Sequence, residues 1–289
     1  MRNPFAAGGR KGLVRKVLLA AFLISLFSLF LNSGEKEALV TDIVDGDTIV
    51  TLTNQGKKET IRYLLIDTPE LHHPRRREEE LAKEAKIFNA SLVLNKKIRI
   101  ELDKEERDKY GRLLAYVWVN TENGEKMVNE TLIEKGLALP FFIPPNGKYL
   151  GGIMEATKRA RSQNLGLWKL ARKRIFTPSQ IYAELPYLAG SYVTIDIRID
   201  EVKKSGSRWL LSQSGSRCYL VIYDNNKHLL KVNDSLTGKR IKVVGKITAS
   251  FLGAEIVISD PAQVIEIAKT AMPFGCILKN GATELYMAA

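Results

Sequence analysis

Asp45-Gly46-Asp47-Thr48, followed by Arg62-Tyr63-Leu64-Leu65-Ile66-Asp67-Thr68-Pro69-Glu70, is the stretch from which this chain is read. Asp45 and Asp47 are two residues apart, so on an extended backbone they project to one side. Gly46 between them permits a tight backbone path. The second run is an apolar strand that ends in a carboxylate. Pro69 fixes the backbone after it, aiming the Thr68 carbonyl and the Glu70 side chain. A third run, Asp108-Lys109-Tyr110-Gly111-Arg112, adds another arginine farther along the chain. Carboxylates at strand ends with arginines in reach suit a divalent cation and a phosphodiester. Hard oxygen ligands hold such a cation, and planar guanidinium forks grip phosphate. Each run has a plainer reading alone: a common Asp-Gly turn, a capped helix start, a hairpin turn. Their joint occurrence, in this order, is what points to chemistry. Within it, Asp45 reads as a turn or outer residue, and Glu70 as either a general base or a residue that orients water.

Outward from these runs, residues 37–169 read as one domain. Strands are expected at Val40–Val44, Ile49–Thr53, Glu59–Ile66, Ile98–Leu102 and Leu113–Val119. Helices are expected at Arg76–Asn95, Met127–Gly136 and Gly152–Asn164. In the first helix Leu81, Ala85, Phe88 and Leu92 form the apolar stripe. Glu78, Glu79 and Glu80 stand in its first turn, where the helix dipole favours them. Five strands and three helices make an α+β domain, a small barrel carrying helices.

The residues so far, with His73-Pro74, Leu114-Ala115-Tyr116, Met127-Val128-Asn129-Glu130 and Gly136-Leu137-Ala138, resemble the thermonuclease (staphylococcal nuclease) family. The resemblance implies a five-stranded OB-type barrel with three helices, and calcium-dependent cleavage of DNA and RNA that leaves 3′-phosphates. It implies that Asp47, Asp67 and the Thr68 carbonyl bind Ca²⁺, that Glu70 acts on the attacking water, and that Arg62 and Arg112 hold the phosphate. Lys109 and Tyr110 are expected at the nucleic acid. Where the family carries tyrosines that pack on the nucleotide, this chain reads Pro140-Phe141-Phe142-Ile143-Pro144-Pro145. Phe142 is the expected stacking residue there, without a hydroxyl for the phosphate.

Residues 170–190, with Arg172-Lys173-Arg174, Pro178 and Pro186, read as a linker. From Ser191 the pattern changes. Val193, Ile195, Ile197 and Ile199 alternate with polar residues, the mark of a half-buried strand. Four further short strands with turn-rich connections follow, so residues 191–267 are expected to form a second small five-stranded OB-type barrel. Trp209, Tyr219 and Tyr223, among Lys203, Lys204, Arg208 and Arg217, are candidates to stack on single-stranded nucleic acid. The tail, 268–289, carries no clear pattern.

The N-terminal 36 residues read as an address. Arg2, Arg10, Lys11, Arg15 and Lys16 precede the uncharged run 17–31, which fits a signal core or short anchor. No Ala-x-Ala cleavage pattern follows, so an uncleaved anchor is expected, with the domains outside the cytoplasm, or secreted if the segment is cut. Net charge of +12 favours polyanionic partners. Cys218 and Cys276 are too few and too far apart for a zinc ribbon or a disulfide framework, and are expected as free thiols. His72 and His73 read as a solvated loop pair. A monomer is assumed. Two rival classes remain open from sequence: a non-catalytic scaffold that tethers DNA at the membrane, and a surface protein that binds carbohydrate.

Overall fold

A computed structural model describes residues 35–53, 55–71, 78–227 and 236–268. The 17–31 run, His72, His73, Cys276 and the tail beyond 268 lie outside the described residues. Among the described residues no helix is long and apolar enough to cross a membrane.

Five strands close the first barrel: β1 (Glu35–Ile43), β2 (Thr48–Thr53), β3 (Lys58–Tyr63), β5 (Lys97–Arg107) and β6 (Leu113–Thr121). A short β4 (Leu65–Asp67) falls between β3 and β5 in sequence. β1 pairs with β2 and β5, β2 with β3, and β5 with β6, all antiparallel, while the parallel pair β3·β6 completes the ring. Closure leaves no free edge in the ring. Alternate residues point inward, and Val40, Ile49, Ile61, Ile98, Ala115 and Val117 fill the interior. Helix α1 (Ala82–Val93) lies against it. β7 (Gly124–Met127) forms a hairpin with β6 and runs into α2 (Val128–Glu134). β8 (Leu139–Phe141) and α3 (Leu150–Ser162) follow.

Two expectations are corrected here. The strand read as Glu59–Ile66 breaks after Tyr63. Leu65 has φ +66°, a left-handed conformation that an apolar side chain adopts only when its surroundings impose it. The imposing groups are Arg62 Nη1, which donates to the carbonyls of Tyr63 and Ile66, and Asn129 Nδ2, which donates to the Leu64 carbonyl. The break turns β4 out of the barrel to pair with β8, Asp67 opposite Leu139. The second correction is the first helix. It begins at Ala82, so Glu78, Glu79 and Glu80 are not in its first turn. It buries Ala82, Ala85, Asn89 and Val93 most deeply, while Leu81, Phe88 and Leu92 of the expected stripe pack half-buried on the same core. Asn89 takes its place because it accepts from the Tyr63 hydroxyl and donates to the Asp45 carbonyl.

The expected linker is folded. α4 (Leu167–Arg172), β9 (Ile175–Phe176), α5 (Pro178–Ala183) and α6 (Leu185–Leu188) occupy 167–188. Thr177 and Gln180 form a capping box at α5, with Pro178 at its first position. Ile181 is fully buried.

The C-terminal sheet contains β10 (Tyr192–Arg198), β11 (Glu201–Ser205), β12 (Arg208–Ser212), β13 (Cys218–Tyr223), β14 (Arg240–Ser250), β15 (Gly253–Val257) and β16 (Val264–Ala268). Its order is β11-β12-β13-β15-β14-β10-β9, with β16 on β14. β13·β15 is parallel and the pairs of β14 with β10, β15 and β16 are antiparallel. Val193, Ile195, Ile197, Leu220, Ile222 and Ile256 form its core. A third apolar cluster joins the two parts: Ala160, Leu167, Trp168 and Ala171 meet Tyr192, Val244 and Ala262.

Candidate active site

The Asp45–Thr48 turn sits where β2 begins. Asp45 Oδ1 accepts from the Asp47 amide at 3.1 Å, the local Asx geometry expected of a turn residue. Gly46 is pressed against Thr68 and Ala85: a methyl group in its place would lie 2.7 Å from Thr68 Oγ1 and 2.8 Å from Ala85 Cβ. The turn is thus fixed directly against the Asp67–Glu70 run and α1.

Asp47 is buried. Its Oδ2 accepts from the Thr68 amide at 2.8 Å and lies 3.1 Å from Arg62 Nη1, and its Oδ1 accepts from Thr48 Oγ1 at 3.0 Å. Arg62 projects from the end of β3 and reaches Asp67 Oδ1 at 3.0 Å with Nη2. One guanidinium therefore holds two carboxylates and spans the kink between them. Burial pushes the Asp47 carboxyl up, against the pull of Arg62. Arg62 loses some charge stabilisation to burial, and Asp47 and Asp67 more than restore it. Glu70 has an exposed side chain, yet partial desolvation and the charges of Asp47 and Asp67 raise its carboxyl above the ordinary range.

Across a groove of about 500 Å³ lies the Asp108–Arg112 turn. Arg62, Lys109, Tyr110, Arg112, Phe141 and Ile143 line the groove. Gly111 has φ +80°, which lets the turn close. Asp108 accepts from the Arg112 amide and from its Nε at 2.7 Å, so the guanidinium is aimed rather than free. Tyr110 is 73% exposed and its ring lies beside the Lys109 and Arg112 cations.

The chain of residues is that of a known fold. A family model described as staphylococcal nuclease homologue matches residues 60–170. The thermonuclease of Staphylococcus hyicus is 39% identical over 137 residues, 47% of this chain and 78% of that protein. The chain belongs to the staphylococcal nuclease family. The thermonuclease of Staphylococcus intermedius is 40% identical over 131 residues, 45% of this chain and 75% of that protein. Endonuclease YncB of Bacillus subtilis (strain 168) is 43% identical over 127 residues, 43% of this chain and 58% of that protein.

Within this nuclease-family site the fold brings Asp47, Arg62, Asp67 and Thr68 into one bonded group, with Glu70 beside it. Arg112, Lys109 and Tyr110 stand on the far wall of the groove. Phe142 is placed otherwise than expected. Its ring packs on the barrel core and lies 3.1 Å from where a Gly147 Cβ would be, while its neighbours Phe141 and Ile143 face the groove. Successive residues of an extended segment face opposite ways, so the apolar wall falls to the flanking pair. Trp209 lies in the C-terminal sheet. Its indole N–H donates to Asp224 at 2.7 Å, and Lys227 sits 4.1 Å from the ring centroid. The side-chain Nδ2 of Asn225, next to Asp224, donates to the Phe142 carbonyl.

The donor set fits a hard cation. Asp47 and Asp67 supply hard carboxylate oxygens of the kind a divalent cation takes, and burial together with their charges raises the nearby Glu70 carboxyl. Among the described residues no three acidic, histidine or cysteine side chains converge on one point. A cation at Asp47 and Asp67 would complete its shell from the Thr68 carbonyl and water.

Sequence reading missed Glu79, Asn89 and Lys246. Glu79 is buried, accepts from the Glu70 amide at 2.9 Å and pairs with Lys246 of β14 at 2.7 Å. Three glutamates in a row read as a first helical turn favoured by the helix dipole. Nothing in a 167-residue separation signals the lysine.

Proposed function

We propose that the chain is a calcium-dependent nuclease that hydrolyses phosphodiester bonds of DNA or RNA, with 3′-phosphate products as the family resemblance implies. The observation that carries this reading is the Arg62 guanidinium bridging Asp47 and Asp67, beside Glu70 and across one groove from Arg112. The thermonucleases and endonucleases among its relatives support it.

Asp47, Asp67 and the Thr68 carbonyl would hold calcium, whose contribution when bound would be that of a Lewis acid on the phosphoryl oxygen. Arg62 and Arg112 approach the phosphate from two sides and stabilise the charge that builds on it. Glu70, with its raised proton affinity, orients the attacking water or takes its proton. Tyr110, Phe141 and Ile143 offer aromatic and apolar surface to a base or sugar.

The C-terminal sheet is inferred to be an OB-type nucleic-acid-binding barrel. The parallel β13·β15 pair, the counterpart of the parallel β3·β6 pair of the first barrel, supports this. The basic N-terminal flank and the 17–31 run support a membrane anchor, with the enzyme acting outside the cytoplasm.

Plasmid digestion by the full chain, with calcium and with excess chelator, tests the proposal. Glu70→Gln and Arg112→Ala are expected to lower kcat by roughly 100-fold or more with the fold retained by circular dichroism. Near-normal digestion by either variant, or digestion that persists in chelator, excludes the mechanism.

A further inference from the structure

We propose that Lys246, carried by the C-terminal sheet, is a positioning residue for Glu70, so that the nuclease site is completed by a part of the chain outside the nuclease-family match. The inference rests on the nuclease reading above and adds a residue to that same site. The family model ends at residue 170, and Lys246 stands on β14.

The geometry is a short relay. Glu79 holds both backbone groups of Glu70: its amide donates to the Glu70 carbonyl at 3.1 Å, and its Oε2 accepts from the Glu70 amide at 2.9 Å. The same Oε2 accepts from Lys246 Nζ at 2.7 Å, and that ammonium lies 3.8 Å from Asp67 Oδ2. Both partners are withdrawn from water, with side-chain exposures of 18% for Lys246 and 6% for Glu79. A buried carboxylate stripped of its cation is strongly destabilised, the more so beside Asp67 and Glu70. Without Lys246, the Glu79 carboxylate would turn toward solvent, and the Glu70 amide would lose its anchor.

The neighbouring residue reinforces the docking. Glu80 accepts from Arg174 Nη1 at 2.5 Å and from the Tyr192 amide at 3.0 Å, and its own amide donates to the Gly190 carbonyl. Residues 79 and 80, read from sequence as part of a helix's first turn, are the socket into which the C-terminal sheet fits. Burial would weaken the Lys246 charge, but the Tyr192 hydroxyl, Asp67 and Glu79 more than restore it. The ammonium therefore persists as a fixed charge. The nearby basic groups on the packed elements are engaged elsewhere: Arg62 is bound to Asp47 and Asp67, and Arg174 to Glu80.

The test uses the full chain with Lys246→Met, Lys246→Arg and the double variant Glu79→Gln/Lys246→Met. Two measurements are made: steady-state hydrolysis of a DNA duplex in calcium, and hydrogen exchange of the Glu70 amide by mass spectrometry. Lys246→Met is expected to lower kcat by roughly 100-fold, the scale of a small misplacement of a reacting group, with KM changed by no more than about twofold. Its Glu70 amide should exchange about tenfold faster. Lys246→Arg should recover most of kcat. The double variant should recover part of it, because the neutral carboxamide that replaces the Glu79 carboxylate still accepts from the Glu70 amide and leaves no buried charge. A kcat for Lys246→Met within about twofold of the parent overturns the proposal. So does a fall in kcat with Glu70 exchange unchanged, which would mean that the lysine acts on substrate directly. The exchange arm reads Glu70 positioning even if the parent chain cuts nothing, so failure of the nuclease reading is seen separately, in the parent's own digestion.

Discussion

One methyl group added at Gly46 would meet Thr68 Oγ1, Thr68 Cβ and Ala85 Cβ, all closer than carbon atoms ordinarily approach. None of these is the free end of a long side chain, so the turn itself must move. Gly46→Ala is expected to cost about 1–3 kcal/mol of stability, as overpacking does. It should also lower activity, because the Asp47 contact with the Thr68 amide is displaced. Urea unfolding and calcium-stimulated digestion of the same preparation check both. An unshifted unfolding midpoint would show that the turn gives way without cost. The sequence already marked Gly46, Asp47, Arg62, Asp67 and Glu70, because short spacing and residue type reveal local chemistry. Asn89 and Asn129 were not legible as site supports. Asn129 is fully buried and bonds the Val117 amide and the Leu64 and Ala115 carbonyls. A polar residue that satisfies distant backbone groups leaves no periodic trace.

At the scale of elements, the existence of the barrel strands follows from alternation, but β1 begins at Glu35 rather than Val40 and β5 runs on to Arg107 rather than Leu102. The break between β3 and β4 does not follow from alternation, since a left-handed leucine is imposed by Arg62 and Asn129 rather than by its own preference. Residues 170–190 carried a usable sign: Thr177-Pro178-Ser179-Gln180 is a capping-box pattern, overshadowed by the prolines and the basic run. Strand β13 offers a test of burial. Cys218 is fully buried, and burial pushes its thiol up to about 12. The thiol stays protonated in the folded chain and ionises in the unfolded chain near its ordinary value of about 8.5. The folded state therefore holds the proton more tightly. Its contribution is complete below about pH 8.5 and is lost as pH rises toward 12. Between pH 7 and pH 10, stability of the Cys276→Ser chain should fall by roughly 1.5–2 kcal/mol more than that of Cys218→Ala/Cys276→Ser. Equal losses in the two would show that Cys218 is reached by solvent.

For the whole molecule, what matters is that the two sheet-bearing parts are not strung on a tether. Trp168 and Leu167 from the first part pack with Tyr192 and Val244 from the second. Arg161 donates to the Ala262 carbonyl at 2.9 Å, and Arg174 and Lys246 pair with Glu80 and Glu79. These contacts join residues far apart in sequence, so neither composition nor spacing foretells them. They also decide how the second part serves the first: through a fixed seam that reaches the Phe142 carbonyl, between the groove-lining Phe141 and Ile143, and the acidic cluster at Glu79. The Arg172-Lys173-Arg174 run carries the consequence. Thr194 bonds both the Ala171 and Arg174 carbonyls, and β9 runs parallel to β10 immediately after. A protease that cuts after basic residues needs a span of extended chain, and here that span is stitched into the C-terminal sheet. Trypsin scission at 172–174 is expected to wait for unfolding and to accelerate steeply with added urea. Rapid scission in native buffer into two stable fragments would show instead that the seam opens freely. If the seam holds, the protease sees one object where the sequence shows a hinge, and the proposed extracytoplasmic enzyme gains persistence from the same contacts that place its glutamate.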